Sequence, residues 1–161
     1  MFTVKAAYSD DFELATTVEA AKEFFSDMKN FARLMPGVSE IHIDNNGIAH
    51  WRIEADVPMV GTIRQKFAVE KTEDSDDRIE WFPIKAETEN LLRFSADFLQ
   101  KAKDVTLVHF TQMVEIRRRS ARDLHMLAGL VGETIISNEM TRKVSEMINI
   151  FIQRAKERLE K

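Results

Sequence analysis

The histidines are the residues of this sequence best suited to chemistry, yet their spacing does not suit a metal site. His42, His50, His109 and His125 include no pair at the i, i+4 spacing that places two ligands on one helical face. None of them is followed by the glutamate of a metalloprotease motif. Polar strand positions or hydrogen-bonded, partly buried rings explain them better. We therefore predict no metal site and no cofactor.

The short motifs of acyl transfer and nucleotide chemistry are also missing from the sequence. There is no Gly-x-Ser-x-Gly elbow and no glycine-rich phosphate loop. The segment from Gly129 to Gly132 lacks the preceding strand and the glycine spacing of a dinucleotide fingerprint. Both kinds of catalysis therefore lose support.

The basic residues cluster at Arg117, Arg118 and Arg119, with Arg122 close behind. On a strand, Arg117 and Arg119 share one face and Arg118 lies on the other, which makes a poor stripe for nucleic acid. A solvated strand end is the plainer interpretation, and contact with an anion or a lipid head group is the alternative. We predict no nucleic-acid partner, while contact with a membrane surface or a protein stays open.

A long C-terminal helix is the element around which the rest of the chain must fold. From Thr134 to Lys161, apolar residues recur at steps of three and four, as expected of one helical face. Thr134 or Ser137 can cap this helix after the break at Gly132. Because one broad side is apolar, upstream segments must cover it.

The first part of the chain predicts a strand followed by paired helices. Phe2 to Ala15 alternates as one long strand with a bend or bulge at Ser9 to Asp11. Thr16 and Glu19 form a capping-box pattern that begins a first helix. A second short helix restarts at Ser26 or Asp27 and ends at the Pro-Gly pair after Met35.

From Val38 onwards the hydrophobic period is two, which predicts a series of strands. Asn46 and Gly47 predict a type I′ hairpin turn, since both residues tolerate positive φ. Glu87 to Lys101 fits a helix about as well as a strand, and the local pattern leaves that choice open. We interpret it as a strand because it lies between two clear strands joined by short turns.

Composition sets the outer limits of function. The 161 residues are expected to form one domain, residues 1–161, since Gly 5 and Pro 3 leave no linker. The absence of cysteine excludes disulfides, and no signal-peptide pattern is evident, so a cytoplasmic location is expected. A net charge of -4 mildly opposes nucleic-acid binding. No apolar run approaches the ~18 residues of a membrane-spanning helix.

The order of elements resembles a known superfamily. The residues that carry the resemblance are Asp27 between the helices, Pro36-Gly37-Val38, the Asn46-Gly47 hairpin and the terminal helix. The chain resembles the START or Bet v 1-like (SRPBCC) superfamily, and within it the branch of carbon monoxide dehydrogenase CoxG and the polyketide cyclase/dehydrase proteins. This resemblance implies an α+β helix-grip fold. A curved antiparallel sheet of about six to seven strands would wrap round the long C-terminal helix, with two short helices after the first strand.

The resemblance also implies an apolar cavity between sheet and helix, which different members use for lipids, isoprenoid quinones, polyketides or plant hormones. On their own, the aromatic and methionine residues of this chain are explained by core packing. In a helix-grip fold, the same inward side chains stand back from the helix and line a pocket. The ligand-binding residues that we predict are Trp51, Ile53, Gln65, Phe67, Trp81, Phe94, Phe98, Phe110, Gln112, Val114, Met140, Val144, Met147 and Phe151.

Within that set, Gln65 and Gln112 are amides on otherwise apolar strand faces. They could hold a polar group of the ligand, or they could hydrogen bond to each other or to the backbone. We expect the inner face to offer amides as its only polar groups. Residues Ser120 to Val131 precede the helix and could act as a lid.

Two classes of function follow from this pocket. The first is a carrier, chaperone or accessory protein that binds a hydrophobic small molecule such as a lipid, an isoprenoid quinone or a polyketide. The second is a polyketide cyclase or dehydratase that uses the same cavity. An enzyme of that type needs an acid or base within about 3 Å of its substrate proton. Because the predicted inner face offers only amides, binding is favoured over catalysis.

Overall fold

The computed structural model describes residues 1–160, and it confirms the α+β helix-grip fold. The strands of the described chain form one antiparallel sheet of order β1-β7-β6-β5-β4-β3-β2. They are β1 (Phe2–Leu14), β2 (Val38–Ile43), β3 (Ala49–Val57), β4 (Gly61–Ser75), β5 (Arg78–Pro83), β6 (Asn90–Ala102) and β7 (Val105–Arg118). The helices are α1 (Val18–Ser26), α2 (Met28–Leu34), α3 (Ala128–Val131) and α4 (Glu133–Leu159), with a 3₁₀ turn at Ala121–Asp123.

The terminal helix α4 buries the face that the sequence pattern predicts. Its buried residues are Ile136, Met140, Val144, Met147, Ile148, Phe151, Ile152 and Ala155. The predicted caps are wrong, because α4 follows Gly132, whose φ is +94°, and begins without a side-chain cap. Ser137 instead accepts a hydrogen bond from the Lys5 amide of β1. The predicted end of the helix at Lys161 lies outside the described residues.

The paired helices begin one residue later than the capping-box pattern predicts. Thr17 caps α1, and its hydroxyl accepts from the Ala20 amide. Asp27 caps α2 by accepting from the Lys29 amide, as one of the two predicted alternatives. Gly37 follows with a φ of +87°, which allows the chain to turn sharply into β2.

The β2–β3 connection differs from the predicted type I′ turn. Gly47 has a positive φ but Asn46 does not, so the two positive angles of a type I′ turn are not present. The Asp44 carboxylate accepts from the amides of Asn46 and Ile48, and the Asp44 carbonyl accepts from Gly47. Asp44 therefore closes the turn through its own side chain.

The strands at the two predicted points of difficulty are regular. β1 pairs with β7 from Phe2 opposite Arg118 to Leu14 opposite Thr106, with no register shift, so the predicted bulge at Ser9 to Asp11 is wrong. The ambiguous segment forms strand β6 and pairs with both β5 and β7. The extended interpretation of that segment is confirmed.

Candidate functional site

A small cavity lies between the sheet and the first half of α4. Inward side chains of β3, β4, β7 and α4 line it: Ile53, Ala55, Ile63, Gln65, Phe67, Gln112, Val114, Ile116, Met140, Val144 and Met147. Its volume is about 20 Å³, which is room for about one water molecule. The hollow expected from the resemblance is therefore almost closed by the protein's own side chains.

The predicted ligand-binding residues divide into two groups in space. Those that border the cavity are Ile53, Gln65, Phe67, Gln112, Val114, Met140, Val144 and Met147. The others, Trp51, Trp81, Phe94, Phe98, Phe110 and Phe151, belong to a buried aromatic cluster beside it. Ala55, Ile63 and Ile116 also line the cavity, and strand alternation could have identified them because each shares a face with a predicted residue.

The aromatic cluster fills the space between the sheet and the second half of α4. Phe31 of α2 stacks on Phe151 of α4 with ring centroids 4.7 Å apart and an interplanar angle of 13°. Phe25 of α1 contacts Phe98, Phe110 and Phe151 at centroid distances of 5.8, 6.0 and 5.7 Å. We call this cluster the aromatic plug. Because α1 and α2 supply rings to it, only the lid end of the space between sheet and helix stays hollow.

The two glutamines have different environments. Gln112 is 3% exposed, and its Oε1 has no hydrogen-bond partner among residues 1–160 although it lies at the cavity. An unpaired buried amide of this kind costs about 1 to 3 kcal/mol. Gln65 is satisfied, because its Oε1 accepts from Asn90 at 3.0 Å and from Arg118 at 2.7 Å.

Arg118 corrects the expectation that the inner face offers only amides. Its side chain is 12% exposed, and it lies on the same face of β7 as Gln112 and Val114. Its Nη2 donates to Gln65 and, at 2.8 Å, to Asn90 Oδ1. Alternation had separated Arg118 from its neighbours, but it could not show that β4 and β6 would surround the guanidinium.

Helix α4 is fixed to one side of the sheet. Within residues 1–160, its hydrogen bonds to the sheet region go to β1 and to Ala15 just after it. Examples are the Thr3 amide donating to Glu133 at 2.6 Å and the Tyr8 hydroxyl donating to Asn149 at 3.1 Å. Towards β3 and β4, which form the other wall of the cavity, α4 presents the apolar side chains Met140, Val144 and Met147.

The segment from Ser120 to Val131 covers the end of the sheet where α4 begins. A Cβ atom at Gly61, in the β3–β4 turn, would lie 3.6 Å from His125 Nε2, so this segment touches the turn. Both parts expose large apolar side chains: Met59 is 71%, Met126 is 76% and Leu130 is 86% exposed. We call Ser120 to Val131 the lid segment.

A larger depression, of about 480 Å³, lies on the outer face of the sheet. Its lining includes Arg78 and Glu80, which alternate along β5 with the inward Ile79 and Trp81. Arg78 pairs there with Asp97 at 2.8 Å and with Glu80 at 2.7 Å. This depression is open and polar, and its Arg78 charge is already paired, so the apolar cavity is the better candidate site.

Two searches of residues 1–160 bear on other classes of function. Histidine and carboxylate side chains do not gather anywhere in this part of the chain in a group of three or more that could hold a metal ion. No helix in the same range has the length and apolar character needed to cross a bilayer.

Similarity to known proteins points to one family and one fold. Residues 11–160 match the family model of CoxG, the G-type subunit of carbon monoxide dehydrogenase. A START superfamily protein from Mycobacterium smegmatis superposes with a TM-score of 0.61 at 14% identity, covering 96% of this chain and 97% of that chain. The Zhui aromatase/cyclase from Streptomyces sp. R1128 gives 0.64 at 12% identity, covering 96% of this chain and 95% of its own. The sequence has no significant match among curated proteins.

A third similar structure is the di-domain ARO/CYC BexL from the BE-7585A biosynthetic pathway. It superposes with a TM-score of 0.67 at 14% identity, and the match covers 98% of this chain and 51% of BexL. At such identities these likenesses establish a shared fold and carry no statement about activity.

Proposed function

This chain belongs to the carbon monoxide dehydrogenase CoxG family, and we propose that it binds an apolar small molecule in the cavity between the sheet and α4. The observation that carries the proposal is Gln112, whose unpaired carbonyl oxygen is buried in an otherwise apolar wall. A guest with a hydroxyl group would satisfy that oxygen and would bury apolar surface against its neighbours, worth about 25 cal/mol per Å².

A guest requires the cavity to open, and the wall contains side chains suited to that change. Met140 and Met147 line the cavity, and methionine adapts its unbranched thioether to different partners. The hydrogen bonds of α4 run to β1, whereas its contacts with β3 and β4 at the cavity are apolar. The β3–β4 side can therefore move away from α4 without breaking a hydrogen bond between them.

We propose that the guest enters beneath the lid segment from a lipid bilayer. Met59, Met126 and Leu130 present exposed apolar side chains at that end of the molecule. Arg119 and Arg122 are exposed nearby and would face anionic head groups. Such a contact is peripheral and would place the mouth of the cavity against the source of an apolar guest.

Binding and delivery explain this site better than the alternative of a polyketide cyclase or dehydratase. The polar side chains that line the cavity are the amides Gln65 and Gln112. An amide donates and accepts hydrogen bonds but does not serve as a general acid or base near neutral pH. We therefore propose a carrier or accessory role for this chain.

Filling the cavity tests the proposal. In Val144→Phe the larger ring occupies guest space, so the amount of hydrophobic guest retained through purification should fall by about tenfold, as expected for about 1.4 kcal/mol of lost affinity. The matched control is Ile150→Phe, because Ile150 is 41% exposed on the same helix. Native mass spectrometry with solvent extraction measures the guest, and thermal unfolding verifies that both variants are folded.

Equal guest content in the wild type, Val144→Phe and Ile150→Phe would contradict binding in this cavity. Protein that carries no guest and takes up none from vesicles would contradict the carrier role itself.

A further inference from the structure

The inward row of β7 ends in a buried cation. Gln112, Val114 and Ile116 line the cavity at alternate positions, and Arg118 is the next residue on that face. The side chain of Arg118 is 12% exposed, and its partner Gln65 is itself part of the cavity wall. The guanidinium therefore lies at one end of the apolar cavity, next to the start of the lid segment.

The acceptors that hold Arg118 are neutral. They are Gln65 Oε1, Asn90 Oδ1 and the carbonyl oxygen of Arg117, at 2.7, 2.8 and 2.8 Å. The only carboxylate within 4 Å among residues 1–160 is that of Glu89, at 3.9 Å, and the Glu89 side chain is 64% exposed. The neighbouring Arg117, on the outer face, contacts the carboxylate of Glu115 directly. Burying a positive charge with only neutral acceptors close by is unfavourable, and an anion beside it would reverse that cost.

We propose that Arg118, Gln65 and Asn90 form a head-group site for the carboxylate of a ligand whose remaining chain is apolar. This inference rests on the proposed function and names the chemical class of the guest. A carboxylate oxygen accepts from a guanidinium with about twice the strength of a neutral acceptor, so it can displace an amide oxygen. The Asn90 amide nitrogen, which now donates to Gln65 and to the Lys66 carbonyl, supplies a second donor beside the guanidinium.

The position of the cluster also fixes the direction of the ligand. Arg118 ends β7, and the lid segment begins two residues later at Ser120. The carboxylate would therefore lie near the lid, and the apolar chain would extend along β7 towards Gln112, about 20 Å away at about 3.3 Å per residue. This is the length of an extended long-chain fatty acid.

The test compares dodecanoate with dodecanol, which differ only in the head group. At a mildly alkaline pH, isothermal titration calorimetry of the wild type should give an affinity for dodecanoate about tenfold higher than for dodecanol. In Arg118→Gln this preference should disappear, with dodecanol affinity within about twofold of the wild type. Arg118→Lys keeps the charge and should keep part of the preference. Arg119→Gln, an exposed neighbour, serves as the control and should behave like the wild type.

The outcomes separate the two proposals. A wild type that binds both probes equally overturns the head-group site and leaves the carrier role in place. An Arg118→Gln variant that loses both probes to the same extent assigns Arg118 a purely structural role, which also overturns the site. A wild type that binds neither probe contradicts apolar-ligand binding, and the head-group site fails with it. The wild-type comparison is decisive even if Arg118→Gln fails to fold.

Discussion

Gln65 and Gln112 show how the surroundings of one side chain decide its role. The two residues have the same chemistry and both face inwards at the cavity. Gln65 is used by the protein, because Asn90 and Arg118 donate to it. Gln112 Oε1 is left without a partner among residues 1–160. Satisfied buried amides are ordinary structural features, whereas an unsatisfied one marks a place where a ligand or water is expected.

Tyr8 offers a measurable signal for the packing of α4 against β1. Burial, with a smaller effect from the Asp10 carboxylate, raises the pKa of Tyr8 to about 12 from its ordinary value of 10.0. The neutral phenol is therefore favoured by folding. The stability that this provides is complete below a pH of about 10 and is lost as the pH rises towards about 12.

Tyr8 is the single tyrosine of the chain, so tyrosinate absorbance reports on it alone. The native protein should titrate near about 12, and protein unfolded in urea should titrate near about 10. Asn149→Leu removes the acceptor of the Tyr8 hydroxyl but keeps the burial, so its native pKa should stay raised. A native titration that coincides with that of the unfolded chain would contradict the described packing of Tyr8.

At the scale of elements, the hydrogen bonds of α4 also protect an edge of the sheet. β1 is an edge strand, and its free amides of Thr3 and Lys5 donate to Glu133 and Ser137 of the helix. An edge covered in this way cannot recruit a further strand. The same bonds fix one long side of α4, which leaves its β3–β4 side as the part of the cavity that can open.

The turn between α2 and β2 contacts the cavity wall and makes a second prediction. A Cβ atom at Gly37 would lie 2.8 Å from the Glu54 carbonyl oxygen and 2.9 Å from Met147 Cε, at a φ of +87°. We expect Gly37→Ala to lower the free energy of unfolding by about 2 to 4 kcal/mol, since strain at positive φ adds to overpacking. Urea unfolding at equilibrium measures this loss.

Gly47→Ala is the matched control, because Gly47 has a φ of +80° and no described heavy atom within 4 Å of its added Cβ. It should cost only the backbone strain, about 1 to 2 kcal/mol. Equal losses for the two variants would show that the contact with Met147 and Glu54 does not matter.

For the whole molecule, the sequence predicts the architecture better than the boundaries of the site. Helical and strand periods identify α4 and the strand series, because each element must bury one face. Local signals are less reliable where a neighbour decides. Thr17 and not Thr16 caps α1, and Asp44 closes the turn that Asn46-Gly47 marks. Caps and turn types depend on single hydrogen bonds that periodicity does not contain.

The division of the interior could not be read from the pattern for a related reason. Inward strand residues such as Phe67 and Phe110 look alike in sequence, yet Phe67 lines the cavity and Phe110 belongs to the aromatic plug. The difference comes from Phe25 and Phe31, which α1 and α2 insert against one half of the sheet. Pairing between distant elements, and not the type of any residue, decides which half is hollow.

Methionine methyl resonances test most directly whether the space beside α4 opens for a guest. In protein with labelled methionine methyl groups, dodecanol should shift the signals of Met140 and Met147, which line the cavity. Met28, buried in α2, and Met113, on the outer face of β7, should change little. Shifts at Met140 and Met147 that saturate with dodecanol are the predicted result. Unchanged signals for both residues, or shifts confined to exposed methionines, would contradict the account.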